Sequence, residues 1–432
     1  MEEDKTNTLL QTNKSSETSV FEQTIELKSF KSGLPTWVFL DHSTLLTTSL
    51  SWSLFFLLTI VVPLVSHFMF SCSNCDVMHQ RPYDGIVQLS LSILATLSFV
   101  SLYSFTKKYG LRKFLFLDKM YDESEKVRDG YAQQIQRSMK ILSFFVLPCF
   151  IADAAYKIWW FATSGNQIPY YYNVYLSNTF ICILLMSSWL YRTSIFFLVC
   201  VLFRLICYLQ ILIMEDFARV FEREYDVASI LIEHLRIRRH LRIISHRFRR
   251  FILFTLILVT GSQFISLLVT LKSGSIINLS TAGEISLCSI TLVAGLFICL
   301  RTAARITHKA QSVTSLSAKW HACATINNFD GLEDETPSAQ ITSSEPNFAA
   351  NANWDTDNEE GDGDDALDNT NMLPFSRTIS YQKRQALVKY FEHNRAGITV
   401  YGFTFDRTLL HWIFAVHLSL TLWILNKTIG IS

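Results

Sequence analysis

Long apolar runs separated by charged loops divide the chain from residue 44 onward. A helix needs ~20 mostly apolar residues to cross a bilayer core. Seven stretches meet that length: roughly 44–70, 86–105, 139–162, 175–224, 251–271, 283–324 and 405–430. The pattern predicts an all-α polytopic membrane protein with seven transmembrane helices. Pro63 predicts a kink in the first, which membrane helices tolerate. Trp159 and Trp160 close the third run, and Tyr170, Tyr171 and Tyr172 precede the fourth, as aromatic anchors do at a membrane interface. The fourth and sixth patterns run on well past a bilayer core. At 1.5 Å per residue, a helix of about 50 residues spans ~75 Å, against ~30 Å of hydrocarbon. Segment 230–250 places apolar residues at helical spacing among arginines, and 381–393 reads as a short amphipathic helix. Together with the ends of the long helices, these predict a cytosolic anchor bundle.

The basic residues orient the chain. Lys107, Lys108, Arg112 and Lys113 follow the second run, an arginine-rich stretch from Arg219 to Arg250 follows the fourth, and Arg301, Arg305 and Lys309 follow the sixth. The opposite loops carry almost none. Positive loops stay cytoplasmic, so the N-terminus is expected inside and the C-terminus outside. This is the reverse of a G-protein-coupled receptor.

Composition agrees with a membrane protein. Half of the 432 residues are hydrophobic, 17% are charged, and the formal net charge is +1. That balance offers nucleic acid no bulk attraction. The polar first 43 residues lack the apolar core of a signal peptide, so the first span is expected to act as an uncleaved anchor. Residues 327–373 form an acidic insert, expected to be disordered because it cannot bury enough apolar area to fold. Its run DTDNEEGDGDD fails the calcium-loop template, since Glu360 stands where the turn glycine belongs. The domain plan is therefore a tail over 1–43, six spans with cytosolic extensions over 44–326, the insert over 327–373, an anchor helix and linker over 374–404, and a last span over 405–432.

Charges inside the spans are the candidate site. Asp153 and Lys157 lie four apart and share a helix face. They form either the polar wall of an outward-open ligand cavity or an ion pair near the interface with Lys157 snorkelling outward. Arg192 lies deeper, where an arginine is a functional candidate by default; Asp153 or a backbone carbonyl is its expected partner. A transporter built on these three charges lacks an inverted repeat. His234, His240 and His246 recur every six residues on different faces, and no metal or cofactor is expected. Cys72 and Cys75 fall in an outer loop, where a disulfide is permitted but its ring is short. Asn278 opens N-L-S in another outer loop and is a glycosylation candidate. No phosphate loop, dinucleotide turn, zinc-protease helix or nucleophile elbow occurs, so no enzyme is expected.

The blocks RPYDGIVQLSLS, LRKFLFLDKMYDESEKVR, SSWLYR, ISHRFRRFIL, ICLRTAARITHKAQSVTSLSAKWHACAT, YQKRQALVKYFEHNRAGITVYGF and LNKTIGI resemble a plant membrane family catalogued as a domain of unknown function. That family is regarded as the plant gustatory-receptor-like branch of the insect odorant and gustatory receptor superfamily. The resemblance implies a tetrameric, ligand-gated cation channel. It also implies an unknown small molecule bound in the outer half of each subunit, and a last helix that lines a shared pore. Insect relatives carry Thr, Tyr, five apolar residues and Gln on that helix. Here Ser419, Leu420, the run 421–425 and Asn426 overlay it, with the tyrosine replaced.

The last span is therefore expected to organise the chain. Thr408, His411, His417, Ser419, Thr421 and Asn426 punctuate it, and it either packs among neighbours or lines a pore. The leading expectation is a chemically gated, cation-permeable homo-oligomer of the plasma membrane, with an endomembrane as the alternative location. It puts Arg407 at the cytosolic mouth, His417, Thr421 and Asn426 on the pore face, and Leu418, Leu422 and Leu425 where they close it by dewetting. The alternative is a non-conducting seven-helix scaffold in the lipid bilayer that recruits cytosolic partners.

Overall fold

The computed structural model describes residues 45–69, 83–109, 125–163, 174–218, 227–272, 279–333, 381–394 and 396–429. The N-terminal tail, Cys72, Cys75, Asn278 and the acidic insert from residue 334 onward lie outside the described residues.

The described chain is almost wholly helical. Helix α1 (Leu45–Phe56) passes through a π-helical turn (Leu57–Val61) into α2 (Val62–Met69). Then follow α3 (Asp84–Tyr109), α4 (Glu125–Thr163), α5 (Val174–Ala218), α6 (Val227–Lys272), α7 (Leu279–Glu333) and α8 (Tyr381–His393). A two-stranded hairpin, β1 (Thr399–Val400) and β2 (Phe403–Thr404), leads into α9 (Arg407–Ile429). Among the described residues seven helices are long and apolar enough to cross a membrane: α1–α2 taken together, α3, α4, α5, α6, α7 and α9. The chain is thus an integral membrane protein by the length and composition of its helices.

Four helices run well beyond a bilayer core: α4, α5, α6 and α7 have 39, 45, 46 and 55 residues, so roughly 58–83 Å each at the helical rise. Segment 230–250 is the first half of α6, continuous with the fifth apolar run. Its buried positions Ile230, His234, Ile237, Leu241, Ile244 and Phe248 recur at steps of three or four, which gives one continuous buried stripe. α4 likewise begins well before its apolar run, with Val127, Tyr131, Ile135 and Ser138 buried along one face. α7 continues through 327–333, the first residues of the expected insert; extending a helix adds a hydrogen bond per residue without a new nucleus.

The chain separates into two compact units. The first comprises Met1–Leu209, Ser245–Ala304 and Thr399–Ser432. α5 runs through its interior: from Ile195 to Leu209 every residue except the half-buried Arg204 is buried. A helix that is apolar all round must be enclosed or face lipid, and this one is enclosed. Around it, Phe55 and Phe99 stack at 4.2 Å against Ile195. Trp160 and Phe161 of α4 pack with Leu58, Val62, Cys182 and Leu185.

The second unit comprises Gln210–Ile244 and Arg305–Ile398. Its core joins Phe217, Ile237, Val313, Trp320, Leu387 and Phe391, all buried. Two polar contacts fix it. Lys309 Nζ, almost fully enclosed, lies 3.3 Å from Glu215 Oε1, and Arg238 donates to Asn394 Oδ1 at 2.7 Å. The His234 ring meets Phe391 edge-on at 4.5 Å.

The hairpin belongs to the first unit. Thr399 pairs with Thr404 and Val400 with Phe403, leaving Tyr401 (φ 50°) and Gly402 (φ 92°) as a two-residue turn. Two successive positive φ values match the right-handed twist of a hairpin. Thr399 N–H donates to Ser245 Oγ of α6 at 3.2 Å. Asp406 then caps α9, accepting Arg407 N–H at 2.7 Å.

Candidate functional site

Pro63 has no N–H and frees carbonyls in the turn behind it. The π-helical turn widens there, and two serines from other helices fill the gap. Ser92 of α3 donates to Thr59 O at 2.8 Å, and Ser188 of α5 donates to Leu58 O at 2.6 Å. Arg192, one turn beyond Ser188, completes this polar seam. Its guanidinium donates to Gln88 Oε1 at 2.7 Å, to Ser92 Oγ at 3.2 Å and to the carbonyl of Gln88 at 3.3 Å, while Nε donates to Ser188 O at 3.3 Å. Gln88 is oriented in turn, its amide donating to Asp84 Oδ1 at 3.0 Å. The other oxygen of Asp84 lies 3.5 Å from His67 Nδ1. Gly85 leaves room for that ring, since a Cβ there would come within 3.2 Å of His67 Cε1.

Arg192 thus takes carbonyls, a hydroxyl and an amide rather than Asp153 as its hydrogen-bond partners. Asp153 instead accepts from Lys157 on its own helix, and both side chains are only 3% exposed. Lys157 does not snorkel outward; it is enclosed with its partner. The three charges expected to form one ligand wall therefore fall into two sites, although Asp153, Asp84 and Glu284 lie within electrostatic reach of Arg192.

Asp153 lines a cleft of about 550 Å³ together with Tyr156 and Trp159 of α4, Glu284, Ser286 and Ile290 of α7, and Leu425 of α9. Its walls are mainly apolar, with Asp153, Glu284 and Ser286 as polar groups. That size and lining suit a small organic molecule. Lys157 and Arg192 do not line it.

α9 carries its polar residues on two faces. His417 and Thr421 point into the protein. His417 Nε2 is 3.1 Å from Thr260 Oγ1 of α6. Thr260 already donates to Leu256 O at 2.7 Å, which leaves His417 Nε2–H as the donor. Thr421 donates to His417 O at 2.8 Å. On the far side Thr408, His411, Ala415, Ser419, Leu422 and Asn426 are all exposed. They recur at steps of three and four, which makes one stripe. The six residues expected on one pore face are therefore split. His417 and Thr421 face this chain's own interior, Leu425 lines the cleft, and only Leu418, Leu422 and Asn426 are exposed. A helix turns about 100° per residue, so His417 and Asn426 stand on opposite sides.

Sequence reasoning missed Asp84, Gln88, Ser92, Ser188, Tyr156 and Glu284. The i, i+4 spacing of Asp84, Gln88 and Ser92 was available as a signal, and so was their place in the RPYDGIVQLSLS block. Nothing in the sequence pointed to Glu284. Among the described residues no group of His, Cys, Asp or Glu is placed to hold a metal ion.

Comparison with known proteins adds one finding. No curated protein and no solved structure matches the chain. A family model covers it from residue 25 to residue 416, and the chain accordingly belongs to the family described as protein of unknown function (DUF3537).

Proposed function

We propose that the protein is a chemically gated, cation-permeable channel that works as a homo-oligomer of gustatory-receptor-like type. The observation that carries this reading is the exposed stripe on α9. Thr408, His411, Ser419 and Asn426 make no hydrogen bond among the described residues, yet they lie along a membrane-length helix. Polar side chains facing hydrocarbon are costly, and such groups face protein or water instead. Copies of α9 arranged around an axis give the stripe a water-filled path, with Leu418 and Leu422 as its apolar constriction. The cleft takes the ligand. Leu425 lines it and belongs to α9, so a molecule bound beside Asp153 and Glu284 touches the helix that gates.

The positive loops support an N-terminus in the cytoplasm and a C-terminus outside, and the plasma membrane is the membrane of this proposal. The four-fold count rests on the family resemblance, as does the role of the second unit as a cytosolic anchor bundle.

Crosslinking in native membranes tests the reading without a known ligand. Ser419→Cys and Asn426→Cys should form inter-chain disulfides under mild oxidation, and His417→Cys should not. Thiol-reactive cations should reduce current through reconstituted Ser419→Cys protein and spare His417→Cys. A strict monomer in mild detergent, with no crosslink at either outer position, would favour the non-conducting scaffold.

A further inference from the structure

The turn between β1 and β2 places a tyrosine where asparagine or glycine costs less. Tyr401 adopts φ 50°, a left-handed conformation that L-residues with a bulky side chain adopt at a cost. Its ring has a use there. Arg249 of α6 lies over it, with the guanidinium carbon 5.1 Å from the centroid. Among the described residues neither Arg249 nor its exposed neighbour Arg250 has a carboxylate partner. The nearby Asp406 is engaged as the cap of α9. On the second strand of the same hairpin Phe403 is 75% exposed, and in the second turn of the helix that follows Trp412 is 70% exposed.

We propose that the hairpin and the adjoining arginines of α6 seat the headgroup of an anionic phospholipid. The chemistry is complementary on both sides. A phosphate group meets the Arg249 guanidinium over the Tyr401 ring, a second negative group adds attraction to the exposed Arg250 at the next position, and guanidinium suits phosphate geometry. The acyl chains of the same lipid lie along Phe403 and Trp412, where aromatic side chains bridge headgroup and hydrocarbon. A free anion would leave those two rings in water. The site precedes the first turn of α9, so lipid held there steadies the helix at its entry into the membrane. The inference does not depend on conduction.

Native mass spectrometry of the full chain in detergent tests it, with phosphatidylserine and phosphatidylcholine of the same acyl chains added in equal amounts. Phosphatidylserine adducts should dominate, and Arg249→Gln with Arg250→Gln should lower that preference about fivefold per arginine, the scale of one basic residue at an anionic bilayer surface. Arg249→Lys with Arg250→Lys should retain most of it. Tyr401→Asn should weaken the adduct while leaving the melting temperature at or above that of the parent. Should the glutamine pair fail to fold, Phe403→Ser carries the same test, with about a threefold loss of phosphatidylserine adducts expected. An unchanged preference in the glutamine pair overturns the proposal, as do unchanged adducts in Phe403→Ser. So does displacement of the lipid by an equal concentration of water-soluble glycerophosphoserine, which would mark a free-anion site.

Discussion

α5 and α9 are both apolar enough to cross a membrane, and their surroundings are opposite. Within its most apolar window 89% of α5 is buried by the rest of the chain, against 22% of α9. In α5 each buried polar group of the seam finds a partner on another helix: Ser188 reaches Leu58 O, and Arg192 reaches Gln88 and Ser92. In α9 only the inner side is served in this way, by Thr260. The outer side carries polar groups that this chain does not partner among the described residues. Polar residues therefore have two settings here: partnered between helices along α5, and exposed with no side-chain hydrogen bond among the described residues along the outer side of α9. Burial thus places α5 inside the first unit and leaves much of α9, the span that stood out in the sequence, at the surface of the described chain.

A graded set of substitutions breaks or sharpens that contrast. Arg192→Met removes the donor to Gln88 and the Ser188 carbonyl and should have the largest effect, destabilising the protein by about 3–5 kcal/mol, as removal of one member of a buried charged network does. Thermal unfolding in detergent measures it. Lys157→Met leaves Asp153 enclosed without its partner and should cost about 3 kcal/mol. The double variant Asp153→Asn/Lys157→Met should recover much of that loss, because no bare charge remains; a double variant as unstable as the single one would deny the pairing.

Ser92→Ala removes the hydroxyl that serves the carbonyl freed by Pro63. It should cost about 1 kcal/mol, and clearly less in a Pro63→Ala background, where the alanine supplies a backbone N–H of its own. Equal costs in the two backgrounds would show that the proline and the serine act separately. The smallest effect on the single chain is expected for Ser419→Ala, within about 0.5 kcal/mol, since its side chain touches no partner in the described chain. His417→Ala, on the opposite side of the same helix, should cost about 1 kcal/mol or more by losing the Thr260 contact. If Ser419→Ala proves the more destabilising of the two in monomeric protein, the inner and outer faces of α9 have been exchanged.

Much of the architecture was legible in the sequence. The bounds of α8 follow from its amphipathic spacing, and the Asp153–Lys157 pair from a separation of four. The hairpin was not legible, because a Tyr-Gly turn lacks the usual Asn or Asp signal and its strands are only two residues long. The arginine-rich first half of α6 and its apolar second half were both legible as helix. The structure shows that one buried stripe passes through both.

The sequence by itself determined that the chain is helical, that seven segments have the length and apolarity to span a membrane, and that its longest helices overreach it. Those properties depend on local hydropathy and spacing, which every residue carries with it. Only the tertiary structure decided which side of α9 faces inward, which partners Arg192 takes, and that Asp153 and Arg192 serve different sites. The reason is physical. In a membrane both the protein interior and the lipid are apolar, so hydrophobic pattern no longer separates inside from outside. Packing and the pairing of a few polar groups make that choice.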